Sequence, residues 1–195
     1  MVETGTYHGG LVMFGHEDAM LERLARIAAH DGHTAGLKPA QWEALRFLAR
    51  ANRFSRTPGA LTAYLGATKG TVSQTLIALE RAGYVEKSAD MADRRTVRLE
   101  LTAAGRDMLS RDGTERMEHA LEAMSEADRA ALMAGVTALL KARVAIDGGR
   151  PFGICRDCRH FERDARGSRQ HFCRLLAEAL DESDAGNICV EQEAA

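Results

Sequence analysis

Between Pro58 and Thr102 the chain reads PGALTAYLGATKGTVSQTLIALERAGYVEKSADMADRRTVRLELT, and its most constraining feature is the two-residue spacer Gly66-Ala67. Pro58 opens a helix in which Leu61, Tyr64 and Leu65 face inward, and Gly66 closes it. Thr68 is an N-cap for the next helix, where Val72, Leu76 and Leu79 recur at i, i+4 and i+7 as a buried stripe and Gly83 marks the end. A spacer that short forces the second helix to cross the first steeply, which is helix-turn-helix geometry. Tyr84 to Lys87 then reads as a strand, Ser88 to Arg95 as a polar loop, and Thr96 to Leu101 alternates, with Val97, Leu99 and Leu101 on one face. A helix-turn-helix followed by such a hairpin is a winged helix.

The flanking segments are mostly helical. Met1 to Gly15, with glycines at 5, 9, 10 and 15, has no period and reads as a loose arm. Helix one is expected from Glu17 to His30, with Met20, Leu21, Leu24, Ile27 and Ala28 on one stripe. Helix two runs from Pro39 to about Arg53 with Trp42, Leu45, Phe47, Leu48 and Ala49 inside. After the wing, Thr102 caps a long helix from Ala103 to about Met124, and Ser125 starts another with Leu132, Val136, Leu139, Leu140 and Val144 as its stripe. Those two long amphipathic helices present more apolar surface than a small winged helix can cover, so a homodimer is expected. Asp147-Gly148-Gly149-Arg150-Pro151 is a linker by composition. The fold class is therefore mainly α with a small β-hairpin wing. Residues 1–15 form the arm, 16–146 the winged-helix and dimerisation domain, and 147–195 a cysteine-rich tail.

Charge is informative only in its distribution. The net charge of -2 does not suggest a nucleic-acid partner. Arg50 to Leu101, however, holds nine basic and five acidic residues, a local net of +4 within an otherwise acidic chain. Helix Thr68–Ala82 turns Lys69, Gly70, Thr71, Ser73, Gln74 and Ile77 away from its stripe. Short polar side chains at a helix N-terminus let the backbone approach base edges in a major groove. Gln pairs bidentately with adenine, Ser serves either kind of base, and Lys meets phosphate or guanine. Arg94 and Arg95 at the hairpin tip reach toward a neighbouring minor groove.

These elements resemble the MarR family of bacterial transcriptional regulators over roughly Glu17 to Ala145. In the wing the family has Asp-x-Arg, five residues, then Leu-Thr; here Asp93-Arg94-Arg95 precedes Thr96 to Glu100 and then Leu101-Thr102. TKGTVSQTLIALERAGYV and LKPAQWEALRFLA look like the family's recognition helix and second helix. The resemblance implies a homodimer on double-stranded DNA at a pseudo-palindromic operator, acting as a repressor, with Arg95 in the minor groove and Asp93 orienting it. It implies that Thr68, Lys69, Ser73 and Gln74 face the major groove, and that the first and last two helices form the dimer interface. Where many members have Arg, this chain has Gln74, so base preference does not carry over.

All four cysteines, Cys155, Cys158, Cys173 and Cys189, fall in the tail. Cys155-Arg-Asp-Cys158 is a Cys-x-x-Cys knuckle whose two sulfurs can face one point, and four thiolates make a closed tetrahedral site. That donor set takes zinc or an iron–sulfur cluster, and spacing does not separate them. A metal-free thiol switch is the remaining option. His160 and His171 lie nearby in sequence and could replace a cysteine, although histidines beside such sites more commonly support the ligands. A tail this small and polar needs a metal for stability.

No stretch approaches the roughly 18 to 20 apolar residues of a membrane span, and Met1 to Gly15 lacks the pattern of a secretory signal, so no membrane partner and a cytoplasmic location are expected. The functional expectation is a DNA-binding regulator modulated by a small-molecule effector or by the cysteine site. The alternative is a zinc or redox protein whose tail is the active part and whose winged helix makes protein contacts; a third reading is a DNA-architectural or partner-recruiting protein with the tail as its docking surface. No phosphate-cradling glycine loop and no Ser/His/Asp spacing supports an enzyme.

Overall fold

The computed structural model describes residues 15–31, 36–90, 95–111, 115–149 and 152–194. Asp93 and Arg94, and the arm before Gly15, lie outside the described residues. The core is built around α2 (Pro39–Arg50), whose Trp42, Ala44, Leu45, Phe47 and Leu48 are buried. Against it pack α3 (Pro58–Leu65) and α4 (Lys69–Arg81). Thr57 caps α3 by accepting from the Ala60 N–H at 3.1 Å. The chain leaves α3 through Gly66 at φ 58°, a left-handed conformation that glycine adopts without a Cβ penalty. Thr68 then caps α4 by accepting from the Thr71 N–H at 3.2 Å, and Val72, Leu76 and Leu79 close the core.

The wing is an antiparallel pair, β1 (Val85–Ala89) and β2 (Val97–Leu101), with Val85 opposite Leu101 and Ala89 opposite Val97. Leu99 and Leu101 are buried, as their alternation requires, but Val97 is 39% exposed because it lies toward the tip, beyond the edge of the core. The Leu99 N–H donates to the Arg56 carbonyl at 2.8 Å, so the segment between α2 and α3 is joined to the wing. Helix two ends at Arg50, three residues before the expected boundary, because residues 51–56 are engaged in these and other long-range bonds. Ala49, expected inside, is exposed; Ala44 and Ala51 take the buried positions.

Thr102 links the wing to α5 (Ala103–Leu109). Its hydroxyl donates to the Gly83 carbonyl at 2.6 Å and accepts from the Gly105 N–H at 3.0 Å. The long helix expected from Ala103 to about Met124 is broken: α5 stops at Leu109, and α6 (Glu115–Glu122) starts afresh, with residues 112–114 outside the description. Ser125 caps α7 (Glu126–Ile146), accepting from the Asp128 N–H at 3.1 Å. No residue of α6 or α7 is buried. Met20, Leu21, Leu24 and Ile27 of α1 (His16–Asp31), and Met133, Val136, Leu139 and Leu140 of α7, are all exposed, so their apolar stripes are left uncovered within one chain.

The tail is folded rather than a simple extension. β3 (Gly153–Ile154) pairs with β7 (Ile188–Cys189), and β4 (Phe161–Glu162), β5 (His171–Cys173) and β6 (Glu178–Leu180) form a three-stranded antiparallel sheet. A 3-10 turn, Cys155–Asp157, follows β3, and α8 (Glu182–Gly186) precedes β7, capped by Asp181. The tail docks on the winged helix: the Phe152 ring meets Phe47 and Tyr64 edge-on at 6.2 and 5.2 Å, and Ile188 and Val190 pack against the main core.

Gly105 allows α5 to approach the turn between α4 and β1, since a Cβ there would lie 2.2 Å from the Tyr84 carbonyl oxygen. Gly105→Ala is expected to lower stability by about 1–3 kcal/mol. Denaturant unfolding followed by the fluorescence of Trp42, the single tryptophan, measures it; an unchanged midpoint would contradict the packing described.

Candidate nucleic-acid interface and cysteine site

The buried stripe of α4 fixes which face is left outside. Thr68, Lys69, Gly70, Thr71, Ser73, Gln74 and Ile77 are all exposed at and after the N-terminus of α4. Thr68 also serves locally, since its hydroxyl caps the helix and lies 2.9 Å from that of Thr71. Arg95 is exposed at the wing. Lys87 on β1 reaches Glu80 on α4 at 2.7 Å, tying wing and helix together at the surface. The strands of the wing are held more firmly, to each other and to the connection between α2 and α3. Arg98 pairs with Asp90 at 2.5 Å, and its Nη1 donates to the carbonyls of Arg53 and Phe54 at 3.1 and 2.8 Å. Arg56 pairs with Glu100 at 2.9 Å.

The carbonyls that Arg98 uses belong to a connection that the tail also grips. Asn52 and Ser55 are buried, at 1% and 0% exposure, where helix two was expected to run out at about Arg53. The Asn52 N–H donates to Ile188 O at 2.8 Å, and its side-chain Nδ2 donates to Cys155 Sγ at 3.1 Å. Asn52 Oδ1 accepts from the Ser55 N–H at 2.9 Å, while Ser55 Oγ accepts from the Val190 N–H at 2.9 Å. Arg53 pairs with the nearly buried Asp184 and donates to the Ala179 carbonyl. Sequence inspection missed Asn52 and Ser55 because their partners lie more than 100 residues away; the only local trace was a polar Asn-Arg-Phe-Ser run where the apolar period lapses.

Cys155, Cys158, Cys173 and Cys189 come together on one cavity of about 10 Å³, room for roughly one water-sized body. His160, Phe161, Leu175, Leu180 and Glu191 complete its wall. The four are free thiols, and Cys155 and Cys189 share a hydrogen bond. That bond, with Cys155 as donor, pulls the Cys189 thiol down to about 6, while the same bond and burial push Cys155 up. Polar hydrogens are aimed at the sulfurs: Asn52 Nδ2 at Cys155, and the Glu193 N–H at Cys158 at 3.4 Å. Such donors stabilise thiolates. Among the described residues no three His, Cys, Asp or Glu side chains are already drawn into metal-ligand geometry. Four thiols on one cavity, with N–H groups aimed at two of the sulfurs, are donors of the type a thiophilic ion takes.

The two histidines separate. His171 is 3% exposed and its Nδ1 accepts from the Asp164 N–H at 3.1 Å, so its Nε2 carries the proton toward Glu182 at 3.1 Å. That bond holds the Glu182 carboxyl below its ordinary range. Both ring nitrogens of His171 are thus committed to the tail's own framework. His160 stays beside the cysteines, accepting from Arg159 Nε at 3.3 Å. A separate, larger cavity of about 770 Å³ opens between α2, α3, the end of α7 and the start of the tail, with Arg46, Arg50, Tyr64, Leu140, Val144 and Phe152 in its wall.

Residues 35–96, from before α2 to the wing, match the model of the MarR family. Solved structures share the fold. MepR of S. aureus in complex with DNA is 20% identical, covering 66% of this chain and 98% of that one with a TM-score of 0.54. A MarR transcriptional regulator from Methanosarcina mazei is 23% identical over 66% of this chain and 94% of its own, TM-score 0.52. FabT of Streptococcus pneumoniae, in complex with DNA, is 25% identical over 67% and 94%, TM-score 0.51. No curated protein matches the chain. The winged-helix part therefore has the MarR fold, and two of these structures carry DNA. No helix among the described residues is long and apolar enough to cross a membrane.

Because Asn52 is buried with all its polar groups engaged, Asn52→Ala is expected to cost about 1–3 kcal/mol. Urea unfolding under reducing conditions checks this, and a loss below about 0.5 kcal/mol would show the bonds to be incidental.

Proposed function

We propose that the chain is a MarR-family transcriptional regulator that binds a pseudo-palindromic operator as a homodimer and acts as a repressor. The observation that carries the reading is the exposed polar face of α4, with Lys69, Ser73 and Gln74, set beside an arginine-bearing wing in a segment that matches the MarR family. Lys69, Ser73 and Gln74 read the major groove, the Thr68 hydroxyl holds the helix N-terminus toward it, and Arg94 and Arg95 enter the minor groove with Asp93 orienting the wing. The exposed stripes of α1 and α7 supply the dimer contact that sets the spacing of two recognition helices.

Cys155, Cys158, Cys173 and Cys189 hold one zinc ion in this reading, with His160 and Glu191 outside the ligand set. Zinc would supply covalent-strength links between segments that bury little apolar surface, since the tail's own cluster consists of Cys155, Leu180 and Cys189 with Phe54, Phe161 and Cys173 beside it. A small-molecule effector has a second place to act, the cavity between the winged helix and α7, where it would favour one dimer geometry by binding the two unequally.

A titration on DNA from the gene's own upstream region is expected to give binding that falls steeply with salt, and Arg95→Ala is expected to cost about 1–3 kcal/mol of affinity. No retardation on any upstream fragment at low salt would overturn the regulator reading. Cobalt(II) added to reduced, metal-free protein is expected to give the visible absorption of a tetrahedral thiolate site at about one ion per chain. That signal should survive in His160→Ala and vanish in Cys158→Ser and Cys173→Ser. Brown, sulfide-containing protein from anaerobic purification would assign an iron–sulfur cluster instead.

A further inference from the structure

The sequence places the cysteine tail after the dimerisation helix, which suggests that it acts on dimer spacing. Its contacts lead elsewhere. Cys155 Sγ receives the Asn52 amide at 3.1 Å, and Val190, next to Cys189, donates to Ser55 Oγ at 2.9 Å. Both partners lie in the connection between α2 and α3 and are almost fully buried. The same connection presents the Arg53 and Phe54 carbonyls to Arg98, which pairs with Asp90 at the edge of the wing tip. From sulfur to the end of β1 the chain of contacts is continuous: Cys155 to Asn52, along the backbone to Phe54, then to Arg98 and Asp90.

We infer that the metal state of the cysteine site is read by the wing through residues 52–56 and Arg98, rather than through the spacing of the dimer. The inference rests on the zinc reading above. With the four thiolates gathered on an ion, the tail is held shut, Asn52 and Ser55 keep their buried partners, and the carbonyls under Arg98 stay in place. Without the ion, the cysteine-bearing part of the tail, whose own buried cluster is only Cys155, Leu180 and Cys189, has too little apolar burial to hold that packing, and the contacts of Phe152, Ile188 and Val190 with the main core do not hold the cysteines together. Its opening uncovers Phe54 and leaves Asn52 and Ser55 to water. The 52–56 connection loses its fixed position, and Arg98 loses the support that holds Asp90 and the paired ends of β1 and β2. The zinc-loaded protein is therefore the DNA-competent form, and two states of one loop, not a long-range strain, transmit the difference.

The test compares the full-length protein, reduced and metal-free, with the same protein reloaded with zinc(II), by hydrogen exchange, by affinity for an upstream duplex and by light scattering. Zinc is expected to slow exchange at residues 52–56 and across both wing strands, and to raise DNA affinity on the order of tenfold, with the dimer unchanged. Arg98→Gln is expected to bind zinc and protect residues 52–56 as before, yet to lose the affinity response. Protection confined to the tail, an affinity response retained in Arg98→Gln, or a response that follows dimer assembly would each overturn the inference. Because exchange in the unaltered chain reports on the wing directly, misfolding of Arg98→Gln would not rescue it. A chain that takes up no zinc overturns both this inference and the metal reading, whereas zinc bound with an unmoved wing overturns only this one.

Discussion

The side chain and backbone of Asn52 form the junction on which the arrangement of the molecule depends. One residue meets the tail's last strand through its N–H, a cysteine sulfur through Nδ2, and its own turn through Oδ1. A buried carboxamide is costly unless each group finds a partner, and here the partners come from three separate stretches of chain. The contact is mutual: the connection between α2 and α3 is bonded to the tail through Asn52 and Ser55, and the tail packs where that connection offers Asn52, Ser55 and Phe54. Arg53 strengthens the junction from the surface by holding Asp184.

From this junction the molecule divides into a well-packed winged helix, the proposed DNA reader, and uncovered helices. The reader is α2, α3, α4 and the wing, closed over a core in which Trp42, Phe47, Leu61 and Leu99 have almost no solvent exposure. Among the described residues of α1, α6 and α7 none is buried in the single chain, so their apolar stripes face outward. The tail touches the reader and not only the helix it follows. The cysteines consequently lie only a few contacts from Arg98 and Asp90 of the wing.

Local chemistry made much of this visible in advance. Thr68, Thr102 and Ser125 were recognisable as caps because an N-cap side chain bonds within three residues, and Gly66 as a stop because the left-handed conformation is a property of one residue. The stripe of α4 was equally plain, since period 3.6 needs no distant partner. The break after Leu109 was not, because the segment on either side has helical composition. Nor were the burial of Asn52 and Ser55 or the exposure of Val97, which depend on what the folded chain places beside them. The cysteine spacing pointed to a shared site, and the four thiols do line one cavity. What sequence could not supply was the Asn52 contact, made across 103 positions, or the commitment of His171 to Asp164 and Glu182.

Hydroxyl-radical footprinting of the zinc-loaded protein on DNA from its own upstream region tests the central claim most directly, because it reads reader, wing and pairing together. Two symmetric protected patches, centred about one helical turn apart and flanked by protected minor-groove positions where the wings lie, are predicted. No protection at any position, or protection of a lone half-site without a symmetric partner, would contradict the account.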